Sequence, residues 1–474
     1  MTSRAWLLLL TILLVGGLIM WPRMQLAMME SDSDVLAHAL DGSSLTTPGA
    51  SGPDIVLIVL DTARRDRVSP YATDLVTPRI ARWAEDAIVY DNARATSSWT
   101  LPSHASMFTG LYPTEHGAHG AALSTGVDAH GVSPEVPTIA ESLRDGGWAT
   151  VGIAANRGYL VRETGVARGF EAWLCKEIRP YAPDVPYPEA ERVTDMALSV
   201  LSRPRQRPVF LFVNYMDAHM PYIDRREYFR DKQVFPPPYA PFEESYLATH
   251  RTGAPLDPTL EHSWREAYDA TLRYLDDEVG RLLAKLPELG VDDDDVVIIT
   301  SDHGESFGEH GAVEHTKNLY DEEIAIPMLV RAPGIRVGHS SAPVDHTDIA
   351  RWILDAASRE RFDGMVEDDF QLAELHHTRH HDLEDPVLRA RFGRVLRSYV
   401  KDQRKVVSSS AGPTEFFDLL EDPLESQSTP GADWATDSEQ RLEDAFSEMN
   451  AVHGSVITRD PDDLEHLRAL GYME

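Results

Sequence analysis

The sequence predicts an α/β fold: a mostly parallel central sheet flanked by helices, followed by a small antiparallel subdomain near the C-terminus. Three observations carry this. Short β-branched runs, apolar on both faces, recur between residues 54 and 331; helical stretches separate them; and beyond residue 390 the pattern changes to short strands about a turn.

The runs are Ile55 to Leu60, Ala149 to Ala154, Pro208 to Asn214, Asp295 to Ser301 and Ile326 to Arg331. Side chains that are apolar on both faces require cover on both, which helices between parallel strands provide. Trp264, Tyr268, Leu272, Leu275, Val279, Leu282, Leu283 and Leu286 recur three and four apart, giving one amphipathic helix whose stripe packs on the sheet. Between Arg391 and Asp418, two short strands are expected around Ser408 to Gly412. The chain then divides into a main globular domain over 54–360 and a C-terminal subdomain and tail over 361–474.

Residues 1–29 contain Arg4 and an apolar run from Ala5 to Trp21, about 17 residues and near the lower limit for crossing a bilayer. This is an anchor or a signal peptide. The bulky Trp21-Pro22-Arg23-Met24 that follows is unlike a cleavage site and favours the anchor; either sends the rest of the chain across the membrane. Residues 30–53, rich in Ser, Asp, Gly and Thr, suit a flexible tether. The globular part is expected outside the cytoplasm, membrane-anchored or, alternatively, secreted.

The formal charge is −33, from 77 acidic against 44 basic residues, only six of them lysine. Such a surface repels nucleic acid and excludes that class of partner. The single cysteine, Cys175, rules out an intramolecular disulfide, leaving packing and metal to hold the fold.

Ligands of open α/β sheets collect beyond the carboxyl ends of the strands. There the sequence places Asp61, the pair Asp302 and His303, and, shortly after a third run, Asp217 and His219. Two carboxylates and an imidazole suit a divalent metal, zinc or manganese in preference to calcium. From Asp302 to Gly311 polar residues and glycines are denser than a structural loop needs. Asn156, after the Ala149 to Ala154 run, is a turn former at the same edge. In Thr100 to Gly110, Pro102 fits the first helical position and Gly110 the stop, so Thr100 lies at the mouth of a helix, where free N–H groups favour an oxyanion. A threonine hydroxyl attacks only when a metal or base activates it. The tract His376 to His381 is expected to be an exposed helical or loop segment.

Six motifs occur in an order that resembles the sulfatase family of the alkaline phosphatase superfamily: Asp61-Thr62-Ala63-Arg64, Thr100-x-Pro102-Ser103, Tyr215-x-Asp217-x-His219-x-Pro221-Tyr222, Asp302-His303-Gly304-Glu305, Lys317-x-Leu319-Tyr320-Asp321-Glu322 and Phe416-Phe417-Asp418-Leu419-x-x-Asp422-Pro423-x-Glu425. The resemblance implies an alkaline phosphatase-like fold and a metal held by Asp61, Thr100, Asp302 and His303. Thr100 would also be the nucleophile. His219 and Lys317 would hold the ester oxygens, with His219 protonating the leaving group.

Three positions depart from that pattern. Thr100 stands where sulfatases carry the cysteine or serine converted to formylglycine, His104 replaces an arginine, and Thr62 replaces a metal-binding aspartate. A threonine nucleophile beside Asp302-His303 resembles instead the phosphoethanolamine and phosphoglycerol transferases and related phosphodiesterases. The expectation is therefore a hydrolase or transferase of phosphate esters acting on a small-molecule or cell-surface substrate. The alternatives are a sulfuric ester hydrolase working without formylglycine and a catalytically silent surface binding protein.

Overall fold

The computed structural model describes Leu45, residues 49–459 except 73, 126, 179–184, 235–238, 359–365 and 367, and residues 464 and 467. The apolar run Ala5 to Trp21 lies outside the described residues, among which no helix is long and apolar enough to cross a membrane.

Eight strands form the central sheet: β1 (Ile55–Leu60), β2 (Ile88–Arg94), β3 (Ala149–Ala154), β4 (Ala172–Leu174), β5 (Val209–Tyr215), β6 (Val296–Thr300), β7 (Met328–Arg331) and β8 (Gly338–Asp345). Their spatial order is β8-β2-β7-β6-β1-β5-β3-β4. The sheet is mostly parallel, as expected. The exception is β7, the last of the five predicted runs, which is antiparallel to both neighbours. Three strands were not foreseen. β2 is interrupted by the exposed Asp91, β4 has three residues, and β8 is a half-exposed edge strand without an apolar run.

The amphipathic stripe lies in α2 (Pro258–Lys285), downstream of α1 (Thr100–Thr109), and its apolar side chains are buried as predicted. Asp257 caps α2, accepting from the N–H groups of Thr259 and Leu260.

The C-terminal unit has four strands rather than two: β9 (Phe370–His376), β10 (Val395–Lys401), β11 (Arg404–Ser409) and β12 (Glu415–Asp418), joined antiparallel in that order. The predicted turn links β11 to β12. A tighter one joins β10 to β11, where Asp402 and Gln403 both take positive φ, 50° and 61°.

The end of the expected tether is held against the main domain. Leu45 is buried and its carbonyl accepts the Gln206 N–H at 2.8 Å; the Trp148 indole N–H donates to the Pro53 carbonyl at 3.1 Å. Gly52 lies so close to that indole that a Cβ would meet it at 2.4 Å. The histidine tract also differs from expectation: His376 ends β9, and the Thr378 and Arg379 that follow are buried. The side chains of His380 and His381 lie outside the described residues.

Candidate functional site

The adjacent strands β6, β1, β5 and β3 run parallel in matched register, so their carboxyl ends deliver Asp302, Asp61, Asn214 and Asn156 to one edge of the sheet. Asp61 is fully buried. Its Oδ2 accepts from Asn156 Nδ2 at 3.0 Å and Asn214 Nδ2 at 3.4 Å, while Oδ1 has no hydrogen-bond partner among the described residues. Asp302 repeats the pattern. Its Oδ1 accepts the N–H groups of Thr62 at 3.0 Å and His303 at 2.9 Å, and Oδ2 is left without a hydrogen bond.

His303 Nδ1–H donates to the Gly304 carbonyl at 2.9 Å, so Nε2 carries the lone pair. That nitrogen lies 3.3 Å from Thr100 Oγ1 and 3.4 Å from Asp302 Oδ2. One donor atom from each of Asp61, Asp302 and His303 falls within 4.8 Å of the others. Burial and the neighbouring Asp302 charge push Asp61 up to about 7, and burial does the same to Asp302. Two buried carboxylates with an unsatisfied oxygen each, facing an imidazole lone pair, are costly unless a cation joins them. The donor set therefore fits a divalent metal, with nitrogen and oxygen ligands suited to zinc or manganese.

Thr62 does not supply a further ligand. Its hydroxyl turns back to the Asp61 carbonyl at 2.8 Å, and its left-handed backbone, φ 59°, aims its N–H at Asp302. Asp217 is also outside the group: it is buried beside Arg225, 3.6 Å away.

Thr100 opens α1 as its first helical residue, with Trp99 as N-cap. Pro102 is thus the third helical residue rather than the first, and Gly110 ends the helix in the left-handed conformation, φ 71°, as expected. Buried Thr100 Oγ1 faces His303, with Asn156 Nδ2 at 3.5 Å. One turn later, His104 Nδ1–H donates to the Thr100 carbonyl at 2.8 Å and stands 3.6 Å from Asp302 Oδ2. Burial among rings such as Phe212 lowers His104 to about 3, so it is neutral at pH 7.

The remaining predicted residues divide. His219 is buried, donates Nδ1–H to the Met220 carbonyl, and is lowered by burial to about 3. It reaches the site through His315, whose ring lies 4.9 Å from that of His219 and 4.5 Å from that of His303. Lys317, by contrast, is drawn the other way: its Nζ pairs with Asp382 and meets Thr378 Oγ1 at 3.2 Å. Asp382 also takes Arg379, so Lys317 belongs to a buried ion network leading to the C-terminal subdomain, and no described interaction joins it to Thr100 or the metal-ligand candidates. His315 and Asn214 escaped the sequence reading. The first lies two residues before Lys317, and the second is the last residue of a predicted run rather than the residue after it, where Asp61 and Asp302 stand.

A family model described as Sulfatase matches residues 53–358. The ulvan-active sulfatase of Formosa agariphila is 24% identical over 419 residues, covering 80% of this chain and 77% of its own. Among solved structures, one of a protein in complex with its substrate D-glucosamine-2-N,6-O-disulfate superposes with a TM-score of 0.65 at 19% identity, covering 84% of this chain and 97% of its own. The phosphonate monoester hydrolase of Silicibacter pomeroyi gives 0.63 at 18% identity, covering 83% and 94%.

Proposed function

Because the chain belongs to the sulfatase family, we propose that it is a metal-dependent ester hydrolase whose nucleophile is Thr100 and whose substrates are phosphate esters. The observation that carries this reading is the Thr100 hydroxyl, buried at a helix N-terminus and 3.3 Å from the lone pair of His303. It stands beside the three metal-ligand candidates, where a metal-activated hydroxyl is needed.

Asp61, Asp302 and His303 would hold the metal, with Thr100 beside them; when bound, it lowers the pKa of the hydroxyl and polarises the ester. Thr100 Oγ1, its proton lost to solvent, would attack phosphorus while the P–O bond to the leaving alcohol breaks, and the phosphoryl group with any second ester substituent would stay on the threonine for water to release. Of the first turn of α1, Pro102 has no N–H and Ser103 gives its own to the Trp99 carbonyl at 3.2 Å, so the N–H groups of Thr100 and Leu101 would be the ones offered to the negative oxygens. Neutral His219 would take a proton from solvent as the anionic ester enters and give it to the leaving oxygen. His315, whose ring lies against those of His219 and His303, would take Lys317's share of holding the ester oxygens, which the resemblance assigned to His219 and Lys317 together. The run Ala5 to Trp21 would hold this chemistry at the outer face of a membrane.

A second reading is sulfate ester hydrolysis, favoured by the relatives named as sulfatases and by the sulfated sugar in the structure with the 0.65 score. Mass spectrometry after brief incubation of the metal-loaded protein with an aryl phosphodiester distinguishes them. An adduct on Thr100 with the mass of the phosphoryl group and its retained ester substituent is expected; no adduct, under conditions that release sulfate from an aryl or sugar sulfate, would overturn the phosphate reading.

A further inference from the structure

A cavity of about 300 Å³ lies away from the Thr100 centre, between the His310 to Tyr320 stretch and the C-terminal sheet. Two guanidinium groups line it, Arg391 and Arg394, which flank Phe392 in the sequence. Their Cζ atoms stand 5.0 and 5.8 Å from the Phe392 ring centroid. Arg391 spends its N–H groups on carbonyls, those of Thr249 and His250 at 3.1 and 2.8 Å and that of His310 at 3.1 Å. No ion pair with a carboxylate holds it among the described residues. The half-buried Arg394 side chain makes no hydrogen bond or ion pair among the described residues. The acid in the lining, Glu415, is engaged by the Tyr320 hydroxyl at 2.7 Å.

In a chain with 77 acidic and 44 basic residues, a cavity guanidinium that makes no ion pair among the described residues, while the lining carboxylate of Glu415 acts on it only from a distance, is conspicuous. Five N–H donors in a planar fork match the oxygens of a sulfate, phosphate or carboxylate, and removing them from water without an acceptor is costly. Apolar surface from Phe392, Leu396 and Val407 beside the charges suits the carbon skeleton that bears such a group. The stretch Val313 to Tyr320 carries His315 to the catalytic centre and Leu319 and Tyr320 to this cavity, so one segment borders both.

We propose that this cavity is an oxyanion site in which Arg394 makes the direct contact and Arg391 supports it. The oxyanion is either the inorganic ion released by ester cleavage or a second anionic group on the substrate itself. Binding of the inorganic ion does not depend on the reading of Thr100.

Crystals of the full chain soaked in selenate, a sulfate probe with an anomalous signal, test the site without turnover. An anomalous peak within hydrogen-bond distance of Arg394 is expected, lost in Arg394→Gln and regained in Arg394→Lys. Kinetics then identify the source. A KM raised about tenfold in Arg394→Gln for an ester with a second anionic group, but not for a singly charged one, assigns the site to substrate. Unchanged KM values with inhibition by added sulfate or phosphate weakened about tenfold assign it to the free ion. No peak at any concentration the crystals tolerate, or one undiminished in Arg394→Gln, overturns the proposal.

Discussion

Thr100 Oγ1 and His303 Nε2 stand 3.3 Å apart, both buried, with the His303 tautomer fixed by its bond to the Gly304 carbonyl. If that hydroxyl forms the covalent intermediate, removing it leaves only binding and electrostatics. Thr100→Ala is expected to lower kcat by at least about 10³-fold, while Thr100→Ser keeps measurable turnover. Steady-state assays with an aryl phosphodiester check this. A Thr100→Ala rate equal to the parent's would remove Thr100 from the chemistry.

The paired carboxylates make a statement about stability. Asp61 and Asp302 rise from 3.8 to about 7 when no cation neutralises them, so between those values the metal-free folded protein holds more protons than the unfolded chain. Stability from these two groups is therefore present at low pH and lost as pH rises towards 7. Thermal melts of metal-stripped protein should show a steeper fall in Tm from about pH 5 to about pH 7 in the parent than in the Asp61→Asn, Asp302→Asn double variant. Zinc or manganese should raise the parent's Tm more at the upper end of that range. Parallel slopes in the two proteins would argue that the carboxylates do not share one site.

Lys317 and Asp382 are both fully buried, and Asp382 additionally receives Arg379 at 3.4 Å. The two halves of the pair should respond unequally. Asp382→Asn strands Lys317 and is expected to cost about 3–5 kcal/mol. Lys317→Met leaves Asp382 with Arg379 and should cost clearly less. Urea denaturation of both variants measures the difference. A mild Asp382→Asn with a strongly impaired kcat/KM in Lys317→Met would instead restore Lys317 to the substrate.

Asp61, Asp302 and His303 were legible because a polar residue straight after an apolar strand has few places to go in a parallel sheet. Asn214 was not, since it is the penultimate residue of β5 and is indistinguishable from strand. β8 lacks the apolar run that announces buried strands, and the direction of β7 depends on how its connection crosses the sheet. That His315, and not Lys317, has its ring against that of His303 has a local cause. Glu314 and Thr316 both take left-handed backbone, φ 63° and 69°, so side-chain direction along this stretch follows no period that residue spacing could reveal.

The same local geometry yields a prediction for His315. Its Nδ1 lies 2.9 Å from Glu305 Oε1, and its ring contacts those of His303 and His219. Glu305, in turn, meets the Tyr222 hydroxyl at 3.4 Å, so the imidazole is gripped from behind while its ring faces the site. His315→Gln keeps much of the volume but loses the ring and its orientation. It is expected to lower kcat/KM about 10²-fold with metal stoichiometry intact, whereas Lys317→Met should leave kcat/KM within a few-fold of the parent. Metal analysis beside the kinetics separates the two ways His315→Gln could fail. Lost metal would make His315 a support for His303, and full activity with full metal would reduce it to packing.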